Sequence, residues 1–80
     1  MTGQHRYTLG ELRQLLDAAS NPRSSSRTLR RLSRHKLVQI RARVARNPAA
    51  SPELLRELAD DPDRSVATAA MTNPANLGGR

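Results

Sequence analysis

Cysteine is absent from the 80 residues. That removes disulfides, thiolate nucleophiles and every cysteine-ligated metal or iron–sulfur site. Phe and Trp are missing as well, and Tyr7 is the lone aromatic. Leu, Ile, Val, Met and Ala must fill whatever core forms. Packing that small suits close-set helices better than a sandwich, which draws on β-branched and aromatic residues. No apolar run approaches the length of a signal-peptide core or a membrane span, so the chain reads as soluble and cytoplasmic. The histidines are His5, in an expected loose tail, and His35, in a basic turn. Neither has a nucleophile or acid partner at readable spacing, which argues against an enzyme, a metal site or a cofactor.

Acidic residues are missing from one particular stretch. Between Arg23 and Arg46 there are nine positive residues and no Asp or Glu. Residues 1–46 carry eleven Arg or Lys against Glu11 and Asp17, a balance of +9, whereas residues 47–80 carry three Arg against five acids, a balance of −2. Such lopsidedness calls for an acidic partner to the first half: an acidic protein surface, nucleic acid or an anionic membrane. Membrane binding is disfavoured by the lack of interfacial Trp or Phe.

What is present is a repeat. Asn-Pro occurs at Asn21-Pro22, Asn47-Pro48 and Asn73-Pro74, each pair 26 residues after the last. The same shift lays Leu29 on Leu55, Leu32 on Leu58, Ile40 on Val66 and Val44 on Ala70, and a preceding half-unit sets Leu12 over Val38. Proline cannot continue a helix and pushes the residue before it out of the α region, so helices end at or just before each Asn. Ser51-Pro52-Glu53 restarts one, with serine as N-cap, proline in the first position and glutamate at the positive end of the dipole. Asp61-Pro62-Asp63 is expected to repeat that chemistry, and Thr8–Glu11 is a capping box.

These signals predict an all-α fold, a short helical-repeat array of five short helices near 8–19, 25–34, 37–46, 52–60 and 62–72. Eighty residues make one domain. Residues 1–7 read as a loose N-terminal tail, 8–20 as a capping helix, 21–46 as a basic repeat, 47–72 as an acidic repeat and 73–80 as a C-terminal tail. Helices this short are unstable alone and hold only by stacking.

Val44–Pro74, "VARNPAASPELLRELADDPDRSVATAAMTNP", resembles the variant leucine-rich repeat, a HEAT-like α-helical solenoid unit of bacterial proteins. The shared phrases are the Asn-Pro break, the Ser-Pro helix start, the Leu-x-x-Leu-Ala run and the Asp-Pro before a second helix. Residues 21–46 match more loosely, because Arg34-His35-Lys36 stands where Asp60-Asp61-Pro62 stands in the next unit. The resemblance implies that one helix of each pair is short, or even 3₁₀. Founding members also carry a cysteine-ligated iron–sulfur cluster, which this chain has no residues to hold.

The candidate binding residues follow from helical geometry. At 100° per residue Arg27, Arg30, Arg31 and Arg34 share a stripe opposite Leu29 and Leu32. In the next helix Leu37, Ile40 and Val44 form the apolar stripe, with Lys36, Arg43 and Arg46 to one side and Arg41 at the other edge. Charged faces normally mix signs, so this one reads as a basic surface for an acidic protein partner, with sequence-tolerant DNA binding as the alternative. Thr28–Arg46 can also be drawn as a helix-turn-helix, but its turn lacks glycine and the repeat already accounts for both helices. Two repeats fall short of the three a solenoid normally needs, and a second copy of the chain could supply the missing cap. Asp60, Asp61 and Asp63 read as helix caps rather than a cation site. The Ala- and Arg-rich composition suits a high-GC bacterium or its phage.

Overall fold

The computed structural model describes residues 6–77. His5, with the rest of the first five residues, and Gly78–Arg80 lie outside the described residues. Six helices are found among the described residues: α1 (Leu9–Ser20), α2 (Ser26–Leu32), α3 (Val38–Arg46), α4 (Pro52–Leu58), α5 (Arg64–Thr72) and a single turn, α6 (Pro74–Leu77). All are α-helical, so the 3₁₀ option implied by the resemblance is not taken up here.

The starts of α1, α2, α4 and α5 are each set by a side chain that satisfies an otherwise orphaned amide, whereas α3 starts after Leu37 without a side-chain cap. Thr8 and Glu11 complete a reciprocal capping box, with Glu11 N donating to Thr8 Oγ1 at 3.0 Å and Thr8 N to Glu11 Oε1 at 2.8 Å. Ser25 Oγ accepts from Thr28 N and Ser51 Oγ from Leu54 N, both at 3.1 Å. The two serines are one repeat apart, so the helix start is kept although Ser26 stands where Pro52 does. α5 corrects the expectation for Asp61-Pro62-Asp63: the N-cap is Asp63, not Asp61, and Pro62 precedes the cap instead of opening the helix. α2 and α4 also end two residues earlier than expected. Ser33 and Ala59 cap them, and the chain turns there through Arg34 N to Arg31 O and Asp60 N to Glu57 O. The four-residue α6 falls in the stretch read as a C-terminal tail.

Asn21, Asn47 and Asn73 are extended, with ψ of 119°, 123° and 127°, as a residue before proline must be. Each turns the chain in the same way. Its Oδ1 accepts the amide two residues on, from Arg23, Ala49 and Ala75, at 2.8 Å in all three cases. Such Asx turns are one reason asparagine is chosen for this position.

Packing follows the repeat. α3 lies between α1 and α5, α2 packs on α1 and α3, and α4 packs on α3, α5 and α6. α1, α3 and α5 form one layer, and α2 and α4 the other. The core contains the pairs that the 26-residue shift superposes: Leu29 with Leu55, Leu32 with Leu58, Ile40 with Val66, Val44 with Ala70. Each fully buried leucine contributes about 1.5–3 kcal/mol relative to exposure. At the ends of the stack, Leu9 is 86% and Met71 50% exposed. Met71 occupies the register of buried Ala45, with no further repeat described to cover it.

Between the repeats runs a hydrogen-bonded ladder. Asn47 Nδ2 donates to Ala19 O at 2.9 Å and to Asn21 O at 3.0 Å. Asn73 Nδ2 donates to Ala45 O at 2.8 Å and to Asn47 O at 3.0 Å. Both side chains are buried, and each satisfies carbonyls at the C-terminus of the helix one repeat back. The asparagine therefore stops one helix and fastens the next unit to it. Asn21, with no described unit before it, is exposed.

Candidate interaction surface

The arginines predicted to bind a partner come from local sequence, and local structure places them. In α2 the burial of Leu29 and Leu32 turns Arg27, Arg30 and Arg31 to solvent, and Arg34 follows in the exposed turn rather than on the helix. Lys36 is exposed in the same turn. Arg43 and Arg46 are exposed too, but on α3, in the other layer. Arg43 flanks a groove beside α1 with Arg13, Leu16 and Asp17, and its Nη1 donates to Ser20 Oγ at 3.0 Å. Arg46 flanks a second groove, beside α5, with Arg64, Ser65 and Thr68. The seven candidates therefore form two groups, five on α2 and its turn and two on α3.

The α2 group has an acidic neighbour. Arg30 Nη1 lies 3.9 Å from Glu57 Oε2 on α4, both side chains about half exposed (46% and 55%). An exposed pair at that distance contributes little, on the order of 0–1 kcal/mol.

Arg41 is different. It belongs to no surface, with 15% of its side chain exposed, and Asp61 opposite it has 7% exposed. The pairing is bidentate, Nε to Asp61 Oδ2 at 2.8 Å and Nη2 to Oδ1 at 3.2 Å. Arg41 Nη1 also donates to His35 O at 2.9 Å and Lys36 O at 3.1 Å. One guanidinium therefore holds the turn of the first repeat against that of the second. Burial pushes the Asp61 carboxyl up, but hydrogen bonds from Arg41 and from Asp63 N, with the guanidinium charge, hold it below its ordinary value. Sequence reasoning missed this pair. Its only trace is an arginine at the rim of an apolar stripe, 20 residues from its acid.

The aspartates divide the expected capping work. Asp63 caps α5 through Ser65 N at 2.9 Å and accepts from the Ser65 hydroxyl, bonds that lower its carboxyl below the ordinary range. Asp61 serves Arg41 and accepts Asp63 N at 2.8 Å, and Asp60 is exposed.

His35 occupies the register of Asp61 and does the same backbone job. Its Nδ1 accepts Leu37 N at 3.0 Å, a bond that needs the neutral ring with its proton on Nε2. That nitrogen lies 3.2 Å from the Tyr7 hydroxyl. Burial first, then the charges of Lys36 and Arg41, push the imidazole below 6.5. Tyr7, placed by sequence in the loose tail, is thus docked on the first turn.

Among the described residues no group of three or more His, Cys, Asp or Glu is arranged to hold a metal ion. No helix among them is long and apolar enough to cross a membrane.

A stack of short helix pairs with a 26-residue pitch, joined by buried asparagines, is a helical-repeat interaction module. The Leucine Rich Repeat Variant domain family matches residues 13–74, and the chain belongs to that family. No curated protein matches it. No solved structure does either.

Proposed function

We propose that the chain is a non-enzymatic binding module whose α2 arginines engage an acidic surface on a protein partner. The carrying observation is the run Arg27, Arg30, Arg31, Arg34 and Lys36, all exposed on one short helix and its turn. Leu29 and Leu32 anchor this strip to the core. Stacked repeats present extended surfaces of this kind, and arginine is the cation best suited to pair bidentately with carboxylates. The cytoplasm, of a bacterium or a phage host, is the setting this reading takes.

The test is capture from host lysate with wild type and with the double variant Arg30→Glu, Arg31→Glu, each with and without nuclease. The expected result is a discrete protein retained by wild type, unaffected by nuclease and lost in the variant. Capture unchanged by the double variant removes the α2 strip from the mechanism. Capture abolished both by nuclease and by the double variant means that the same arginines hold nucleic acid.

A further inference from the structure

The two layers display opposite kinds of charge pattern. On the outer face of α2 and α4, the 26-residue shift sets Arg27 against Glu53, Arg31 against Glu57 and Arg34 against Asp60. Arg30 already reaches Glu57. Basic and acidic stripes lie side by side there, and the three acids offset part of the positive charge of the face.

The α1, α3 and α5 layer is compensated less. Its outward positions recur with the repeat, at 13, 17 and 20 on α1, 39, 43 and 46 on α3, and 65 and 72 on α5, where the register of 17 and 43 falls on buried Ala69. The occupants are Arg13, Asp17 and Ser20, then Gln39, Arg43 and Arg46, then Ser65 and Thr72. Arg64 joins them at the rim of the α3/α5 groove, beside Thr68. Asp17 is the one acid among these positions, against four arginines. Arg43 faces the groove towards α1 and Arg46 the groove towards α5, so α3 is a cationic ridge between two shallow channels.

We propose that this face is a docking surface for the phosphate backbone of duplex nucleic acid, held by Arg13, Arg43, Arg46 and Arg64 with the Thr68 hydroxyl beside them. Three features favour that occupant. The cations are spread along a line of parallel helices rather than gathered into one pocket, which fits a polymer with evenly spaced charges better than a small anion. Arginine and threonine are among the side chains that contact phosphate oxygens. The face has no aromatic residue on which unpaired bases could stack, which disfavours single strands. Contacts of this type position the protein without reading sequence. The surface lies on the layer opposite the α2 strip, so it stands or falls independently of the acidic-protein reading.

The experiment is fluorescence anisotropy of a labelled random-sequence DNA duplex titrated with the full chain. With four phosphate contacts, affinity should fall about a hundredfold between about 50 and 200 mM salt. Arg43→Glu with Arg46→Glu should weaken binding more than about tenfold at low salt, while Arg27→Glu with Arg31→Glu changes it less than about threefold. Because reversal in α3 could unfold the chain, Arg43→Gln with Arg46→Gln is measured alongside, with helicity and thermal midpoint by circular dichroism. It should keep the fold and still lose affinity. Three results would overturn the assignment: no duplex binding at low salt, equal loss in the α2 variant, or a neutral α3 variant that is folded and binds like wild type. Competition by poly-glutamate, the matching single strand or phosphatidylserine vesicles as strong as by unlabelled duplex would also overturn it, in favour of a general anion surface.

Discussion

The two repeats share a backbone and differ in nearly everything that points outward. Ser25 and Ser51 cap their helices at the same distance. Asn21 and Asn47 make the same turn, and Leu29 and Leu55 fill the same place in the core. Yet α2 shows four arginines with its turn, where the corresponding positions on α4 show two glutamates, an aspartate and Arg56. The inward positions answer to packing and hydrogen bonding, which permit few residues. The outward positions answer only to solvent and partners, so the repeats diverge there. Where the difference reaches inward, at His35 and Asp61, the backbone bond is kept and only the chemistry of the acceptor changes.

The largest effect that separates the repeats should come from the ladder. Asn47→Ala leaves the buried carbonyl of Ala19 without this donor and removes one of the two donors to Asn21 O, which keeps Ser24 N. With the buried side chain lost, the cost is about 3 kcal/mol. The thermal midpoint should fall by more than about 10 °C. Asn21→Ala, at the same turn but exposed and with no described unit before it, should cost less than about 1 kcal/mol. Equal losses in the two variants would show that the asparagines act only through their local turns.

Next in size is the clamp between the turns. Removing one partner of a largely buried pair strands the other, so Arg41→Ala should cost about 3 kcal/mol by chemical denaturation. Asp61→Asn keeps the backbone turn bond and should cost less, about 1–2 kcal/mol. If Asp61→Asn proved the more damaging, the guanidinium bonds to His35 O and Lys36 O would be incidental.

The turn acceptors should then part company in acid. His35 is held neutral, its pKa below 6.5, so the unfolded chain takes up the proton first. Stability is complete above 6.5 and declines as the pH falls below it, through the lower folded value. Asp61 is also lowered, from 3.8, so its contribution is present above 3.8 and declines only as the pH falls through the folded value beneath that. Stability against pH should show a shallow histidine step above a carboxylate step. In His35→Asp the upper step should vanish, and a step that persisted there would belong to another group.

The smallest effect is expected at the one place where the two surface stripes touch. Glu57→Gln should change stability by less than about 0.5 kcal/mol, and by still less at high salt. A larger loss would mean that the α2/α4 face is a rigid network and not two loosely compensated stripes.

Most of the fold was legible in the sequence because it rests on local rules. The extended residue before proline, the Ser and Thr caps and the leucine spacing are set within a few residues, and the 26-residue period disclosed the stacking. Helix ends were read two residues too long at α2 and α4. Ser33 and Ala59 have helical angles but close the helix through turn bonds, a distinction composition does not carry. The exposure of the α2 arginines follows from Leu29 and Leu32. The ladder and the Arg41–Asp61 clamp were not legible, because their partners lie 20 to 28 residues away. A local role already explained each residue, Asn47 as a helix stop and Asp61 as a cap. The division of the basic residues between two layers was hidden too, since a helical wheel describes each helix alone.

The asparagine ladder also governs how such a protein can grow. Every rung donates to carbonyls 26 and 28 residues behind it, so the spacing is written into the wiring and not only into the packing. Lengthening by a few residues would bring the wrong carbonyls under the amide, whereas copying residues 47–72 in tandem would present each new Asn with the partners it requires. The architecture is quantised: it tolerates change in whole units and resists it in fractions. Duplication then adds reach in fixed steps, and each added unit arrives with a blank outer surface on which a new charge pattern can be written.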